Sequence, residues 1–243
     1  MSKIIFKTLF KKEAASILNS HSFWISTLFF YFALSIAFIG IPVWFDIGLS
    51  DLSYFFSLFP FVYIVVIPML TIELWTDEYK RRTSELLFLF PVSITEIVCT
   101  KFLACAFCFF IQLFITIIIP LSVLPLIFFH VPSFLFSYCA CLCFGLACIA
   151  LSLALSAVTS ESALAFACSF FTIAFFSLLH LLIRLIPLHE SVQTIIETIS
   201  FNKHFQNAAL GILDFGDYIF YASLILFGIS LNVFILKQKR IRQ

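Results

Sequence analysis

The chain is short of charge. Only 11% of its 243 residues are Asp, Glu, Lys or Arg, and 63% are hydrophobic, against about 25% and roughly 45–50% in soluble domains. From Phe102 to Ser160 it runs 59 residues without one of the four charged types, with His130 its only imidazole. A stretch that apolar cannot be a soluble core. Glycine is scarce too. None of the six (Gly40, Gly48, Gly145, Gly211, Gly216 and Gly228) opens a Gly-x-x-x-x-Gly-Lys loop, the element whose inward-turned N–H groups cradle phosphate. ATP hydrolysis by that route is excluded. Period-2 alternation is also missing, which argues against barrel strands. Cysteine is not scarce, but all eight residues sit in or beside apolar runs. That is no setting for a disulfide framework, and the thiols read as small hydrophobic filler. Cys139, Cys141 and Cys143 are spaced by two, which points successive side chains to different helix faces and argues against a soft-metal site. No metal or cofactor is expected in this chain, and no nucleic-acid partner.

One bilayer crossing needs about 20 apolar residues at 1.5 Å rise each. The long run therefore supplies two spans and a turn, with Pro120, Pro125 and Pro132 near its middle. Four further uncharged runs, Ser22–Phe45, Leu52–Ile72, Ser162–Ile183 and Tyr218–Leu236, bring the expectation to six helical spans, since only helices and closed barrels satisfy their backbone in hydrocarbon. The spans are placed at about 22–43, 53–74, 99–120, 133–158, 162–186 and 217–236. The expected fold is an all-α integral membrane protein forming one transmembrane domain. With six spans, twelve of the fourteen lysines and arginines fall on one side, and only Arg184 and Lys203 on the other. The positive-inside rule then makes both termini cytoplasmic.

Residues 2–20 form a basic region with Phe6, Leu9, Phe10, Glu13 and Ile17 at helical spacing and lysines on the other faces. This predicts an amphipathic helix in the headgroup plane. Trp24, Trp44 and Trp75 suit interfacial belts. In span two, Pro60 and Pro68 each predict a broken backbone hydrogen bond and a bend. Few polar groups lie in the spans: Glu73, Gln112 and Asn232, with His180 and Arg184 one turn apart. These are the candidates for a cargo path. A path with so few charges suits an amphipathic or lipid-like cargo.

The largest cytoplasmic segment is 76–96. Asp77 and Glu78 stand four residues before Arg81 and Arg82, with Thr76 placed to cap a helix start. Leu86, Leu87 and Phe90 then give an apolar face before Pro91. Ser93 followed by Glu96 fits a capping box that opens the next helix. Further along, Glu78, Lys80, Arg81, Thr83, Glu85, Leu86, Leu87, Pro91, Val92, Ser93, Glu96, Ile97, Val98 and Lys101 follow one another in a distinctive order. The outer loop 187–216 carries a second pattern, Ser200, His204, Phe205, Gln206 and Gly211, with Asp217 just after it.

Taken together these segments resemble ABC-2-type transporter permeases, particularly the gliding-motility and copper-processing branch. Arg82 stands where that family usually has Gly, and Thr100 where Gly usually precedes the Lys. The resemblance implies a permease subunit in the bacterial cytoplasmic (inner) membrane, paired with a second permease protomer. It also implies a cytoplasmic ABC ATPase that binds the ATP and Mg, and leaves room for a periplasmic accessory subunit on the outer loop. Under it, Asp77, Glu78, Arg81, Arg82, Thr83, Glu85, Leu86 and Leu87 belong to a coupling helix seated on the ATPase. His204, Phe205, Gly211 and Asp217 are the outer-loop motif. Export is the usual direction. A membrane anchor that recruits an ATPase to a regulatory or motility assembly without transporting would show the same loop. A third reading, an intramembrane protease, rests on Asp77-Glu78 with Arg82 and Phe176 with His180. The topology separates those groups by most of a bilayer, about 30 Å, too far for shared acid–base chemistry.

Overall fold

The computed structural model describes residues 3–40, 53–83, 92–122, 131–185, 200–201, 205 and 215–242. Its helices, in chain order, are α1 (Lys3–Leu18), α2 (His21–Gly40), α3 (Ser53–Ser57), α4 (Phe59–Thr71), α5 (Glu73–Lys80), α6 (Ile94–Thr116), α7 (Ile118–Leu121), α8 (Val131–Ser156), α9 (Ser162–Leu185) and α10 (Phe215–Arg242). Six segments are long and apolar enough to cross a membrane: His21–Ile39, Phe59–Lys80, Ile94–Leu121, Val131–Ser156, Ser162–Leu179 and Phe215–Arg240. The chain is a multi-pass membrane protein.

The interior is built around the second and fourth spans, which are the most enclosed, while the first, fifth and sixth leave most of their surface outward. Apolar surface on the outside is what hydrocarbon demands, and Leu28, Phe32, Phe114, Phe171 and Leu226 are all more than 60% exposed. Without a hydrophobic force between spans, packing and small residues decide the contacts. α8 and α10 make the most extensive pair. At Gly228 a Cβ would stand 2.7 Å from the Ala150 carbonyl carbon, so only a glycine lets the backbones meet there. Aromatic rings fill the centre. Tyr63 packs on Phe30, Phe59, Phe109 and Phe144, and its hydroxyl donates to the Cys141 carbonyl at 3.2 Å.

The second span carries two prolines. Pro60 lies in the first turn of α4, where a missing N–H costs nothing. The bend expected there is therefore a helix start, with Phe61 and Val62 N–H both donating to the Leu58 carbonyl. Pro68 is inside α4, and the backbone stays helical through Ile72, whose N–H donates to the Pro68 carbonyl at 3.0 Å.

The described residues of the expected outer loop pack against the helices. Ser200, Phe201 and Phe205 are buried. Phe201 stacks on Phe176 of α9 at 4.9 Å, and both Phe201 and Phe205 reach Phe144 near the middle of α8. Tyr221 donates its hydroxyl to the Phe201 carbonyl at 3.2 Å. Phe201 and Phe205 of the segment 187–216 are thus enclosed by the apolar interior of the bundle. His204 and Gly211 lie outside the described residues.

Candidate functional site

The candidate site is the end of the bundle where the lysines gather, and it begins with α5. The expected helix start at Thr76 is not observed. The Thr76 hydroxyl donates to the Ile72 carbonyl at 2.6 Å, the back-bond of a helix-interior residue, and α5 ends at Lys80. The segment is therefore a prolongation of the second span, and it stops in a turn. Arg81 N–H donates to the Asp77 carbonyl at 3.0 Å and Arg82 N–H to the Tyr79 carbonyl at 3.2 Å. Arg82 has φ 53°, the one positive-φ non-glycine among the described residues. Left-handed backbone at a helix end is glycine's conformation. Arg82 adopts it without glycine's freedom, at a cost in strain. Arg81 pairs with Asp77 at 3.8 Å, both partly or largely exposed, and Thr83 Oγ1 donates to the Glu78 carbonyl at 3.4 Å. Glu85, Leu86 and Leu87 lie outside the described residues.

Behind the turn sits a buried ion network. Lys101 of α6 is 2% exposed. Its Nζ donates to Glu13 Oε2 of α1 at 2.9 Å and to the Leu74 carbonyl at 2.9 Å, and lies 2.8 Å from Glu78 Oε1. An ammonium has three protons to give, and all three have acceptors. The Trp75 ring adds a cation–π contact at 4.8 Å. Lys12 approaches the other Glu13 oxygen at 3.4 Å. Burial pushes the Glu13 carboxyl up, but the Lys101 and Lys12 ammonium groups outweigh it and hold it below the ordinary carboxylate range. One lysine therefore fastens α1, the base of the turn and the third span to each other.

Neighbouring contacts extend the fastening. Lys80 Nζ donates to Ser162 Oγ at 2.7 Å, Tyr79 OH to the Ala157 carbonyl at 3.1 Å, and Lys239 lies 4.0 Å over the Tyr79 ring. The capping box is present: Ser93 Oγ accepts from Glu96 N–H at 3.3 Å and Glu96 Oε2 accepts from Ser93 N–H at 3.0 Å. A cavity of about 500 Å³ opens beside the network, lined by Glu13, His21, Glu73, Asp77, Glu78 and Lys101 among others. Glu73, a cargo-path candidate from the sequence, faces this cavity and accepts a hydrogen bond from Ser22 Oγ.

The other polar span residues join helices. Gln112 Nε2 has two protons to give and three acceptors in reach, Thr27 Oγ1 at 2.7 Å, Ser26 Oγ at 3.0 Å and the Phe23 carbonyl at 3.4 Å, tying α6 to α2. Asn232 Nδ2 donates to the Leu153 carbonyl at 3.1 Å, tying α10 to α8. Both are fully buried. His180 and Arg184 lie on α9, and their side chains fall outside the described part of the structure. Asp217 starts α10 and is buried. Sequence reasoning missed the Glu13–Lys101 pair, although a signal was there: an acid on the apolar face of a basic helix, and a lone cation inside an apolar one.

Six apolar spans, a basic helix packed against the third, and a charge-locked turn extending the second define a polytopic helical membrane protein with one polar working end. Residues 45–236 match the model of the family described as ABC-2 family transporter protein, and the chain belongs to that family. No curated protein matches the chain. Membership makes it a transmembrane component of a transporter, of a kind that works with a cytoplasmic ABC ATPase and dimerises.

Proposed function

We propose that the chain is the permease subunit of an exporter driven by a separate ATPase, which binds the ATP and Mg and docks on the turn after the second span. The observation that carries this is the Lys101 network. A force applied at Arg81 and Arg82 reaches Glu78 within one helical turn, and Glu78 is ion-paired to Lys101, itself paired to Glu13. The turn, the third span and α1 therefore move as one body, as rigid-body rocking requires. Arg81, Arg82 and Asp77 are exposed enough to set register with a partner, the role interfacial charges fill best, and Leu86 and Leu87 supply apolar contact. The two termini and this end face the cytoplasm of a bacterial inner membrane, where the protomer pairs with a second permease chain. Gln112 and Asn232 are already engaged between helices, which favours an amphipathic or lipid-like cargo over a sugar or ion.

The test is a mild-detergent pull-down of the tagged chain from its native membrane. An ABC ATPase recovered stoichiometrically with wild type and lost with R81E/R82E supports the docking. ATP-dependent movement of a fluorescent lipid in liposomes separates transport from mere recruitment. Full retention of the ATPase by the charge-reversed chain would refute the assigned surface.

A further inference from the structure

The helix that turns Glu13 inward turns lysines outward. α1 carries Lys3, Lys7, Lys11 and Lys12 and one acid, Glu13, and that acid is held by Lys101. The charge α1 presents away from the bundle is therefore of one sign. At 100° per residue the lysines divide between its two flanks. Lys12 lines the cavity next to Glu13 and Ser16. Lys7 and Lys11, one turn apart and both exposed, lie on the flank of Phe10, whose ring meets Phe107 of α6 edge to face at 6.0 Å. Phe107 is 45% exposed and shares its face of α6 with the exposed Leu103, Phe110 and Phe114. That face is apolar and exposed over about three helical turns.

We propose that Lys7 and Lys11 form a recognition site for anionic phospholipid headgroups at the edge of the Phe10, Leu103 and Phe107 wall, so that the protein selects anionic over zwitterionic lipid. The lysine stems lie along apolar surface and their ammonium groups sit at headgroup level. Continuity with the wall commits the site to lipid: an acyl chain gains contact there, and a soluble anion does not. Opposite-flank Lys12, already beside Glu13, takes no part. This inference stands on α1 and α6 alone and is independent of any ATPase.

The full chain is placed in nanodiscs of equal phosphatidylglycerol and phosphatidylcholine with identical acyl chains, and the lipids it retains are counted by native mass spectrometry. Phosphatidylglycerol should exceed phosphatidylcholine. The ratio should fall about fivefold with each of K7Q and K11Q, and further with both. K7R/K11R should keep the wild-type ratio, which separates charge loss from misfolding. Equal retention by wild type, or a preference surviving K7Q/K11Q in a chain of unchanged gel-filtration profile, overturns the site. Loss of the preference on adding millimolar inorganic phosphate would make it a free-anion site and overturn its assignment to lipid.

Discussion

Removing the Lys101 ammonium is the sharpest test of the network. Lys101→Met keeps the length and apolar character of the side chain. It leaves Glu13 and Glu78, both within 3 Å of the vanished Nζ, facing a buried gap with no cation between them. Breaking a buried ion pair by deleting one partner costs about 3–5 kcal/mol, because the remaining charge is uncompensated. For a chain of this size about 2–4 °C of melting temperature goes with each kcal/mol, so K101M should melt about 6–20 °C below wild type. The assay is thermal unfolding of the purified chain in nanodiscs, followed by tryptophan emission. The triple variant E13Q/K101M/E78Q removes the uncompensated acids, and a buried network replaced by neutral groups is often no less stable. It should recover most of the loss while the turn is no longer fastened to α1 and the third span. In the assembled transporter it should therefore bind ATPase yet couple poorly. K101M as stable as wild type, or a triple variant no better than K101M, would refute the claim that one charge-satisfied body links these elements.

Glu13 gives the network a pH signature. Its carboxyl is held below the unfolded value of 4.5, so the unfolded chain binds the proton first and stability falls as pH drops. The contribution should be complete above about pH 4.5 and be lost progressively as pH falls from there through the lowered folded value; E13Q should flatten the pH dependence of melting over that range. Arg82→Gly relieves left-handed backbone, which costs an L-residue about 1–2 kcal/mol, less the 0.5–1 that glycine returns in chain entropy. A rise of a few degrees in melting temperature is expected, with no rise for R82A. Gly228→Leu must part α8 and α10 where even a Cβ would stand 2.7 Å from backbone, and should abolish stable expression, whereas A222L on the exposed surface of α10 should be tolerated. Ser93→Ala removes both hydroxyl bonds to Glu96 and should cost about 1 kcal/mol, read as a melting shift of a few degrees.

How much was legible from sequence depended on how local the signal was. The capping box at Ser93 and Glu96 was legible because its partners are three residues apart. The length of the second span's extension was not: Asp77 and Glu78 look like the first turn of a new helix until Thr76 is seen bonding back to Ile72. Two acids near a helix C-terminus run against the dipole, and what reverses the balance for Glu78 is Lys101, 23 positions away. The packing of Phe201 and Phe205 was not legible for a similar reason. Phe201 and Phe205 sit in a stretch with polar neighbours, and only the facing rings of Phe144 and Phe176 draw them inside.

The sequence by itself determined that this is a six-span helical membrane protein, because hydrocarbon imposes a composition on every residue that crosses it, with no need of a partner. It also determined where the lysines gather, since charge spacing along the chain is topology. Only the tertiary structure decided which acid meets Lys101, why a left-handed residue closes the second span, and which polar groups are consumed in joining helices. Those are pairings between residues far apart in sequence, fixed by distance and by the cost of leaving a buried charge or hydrogen bond unmet.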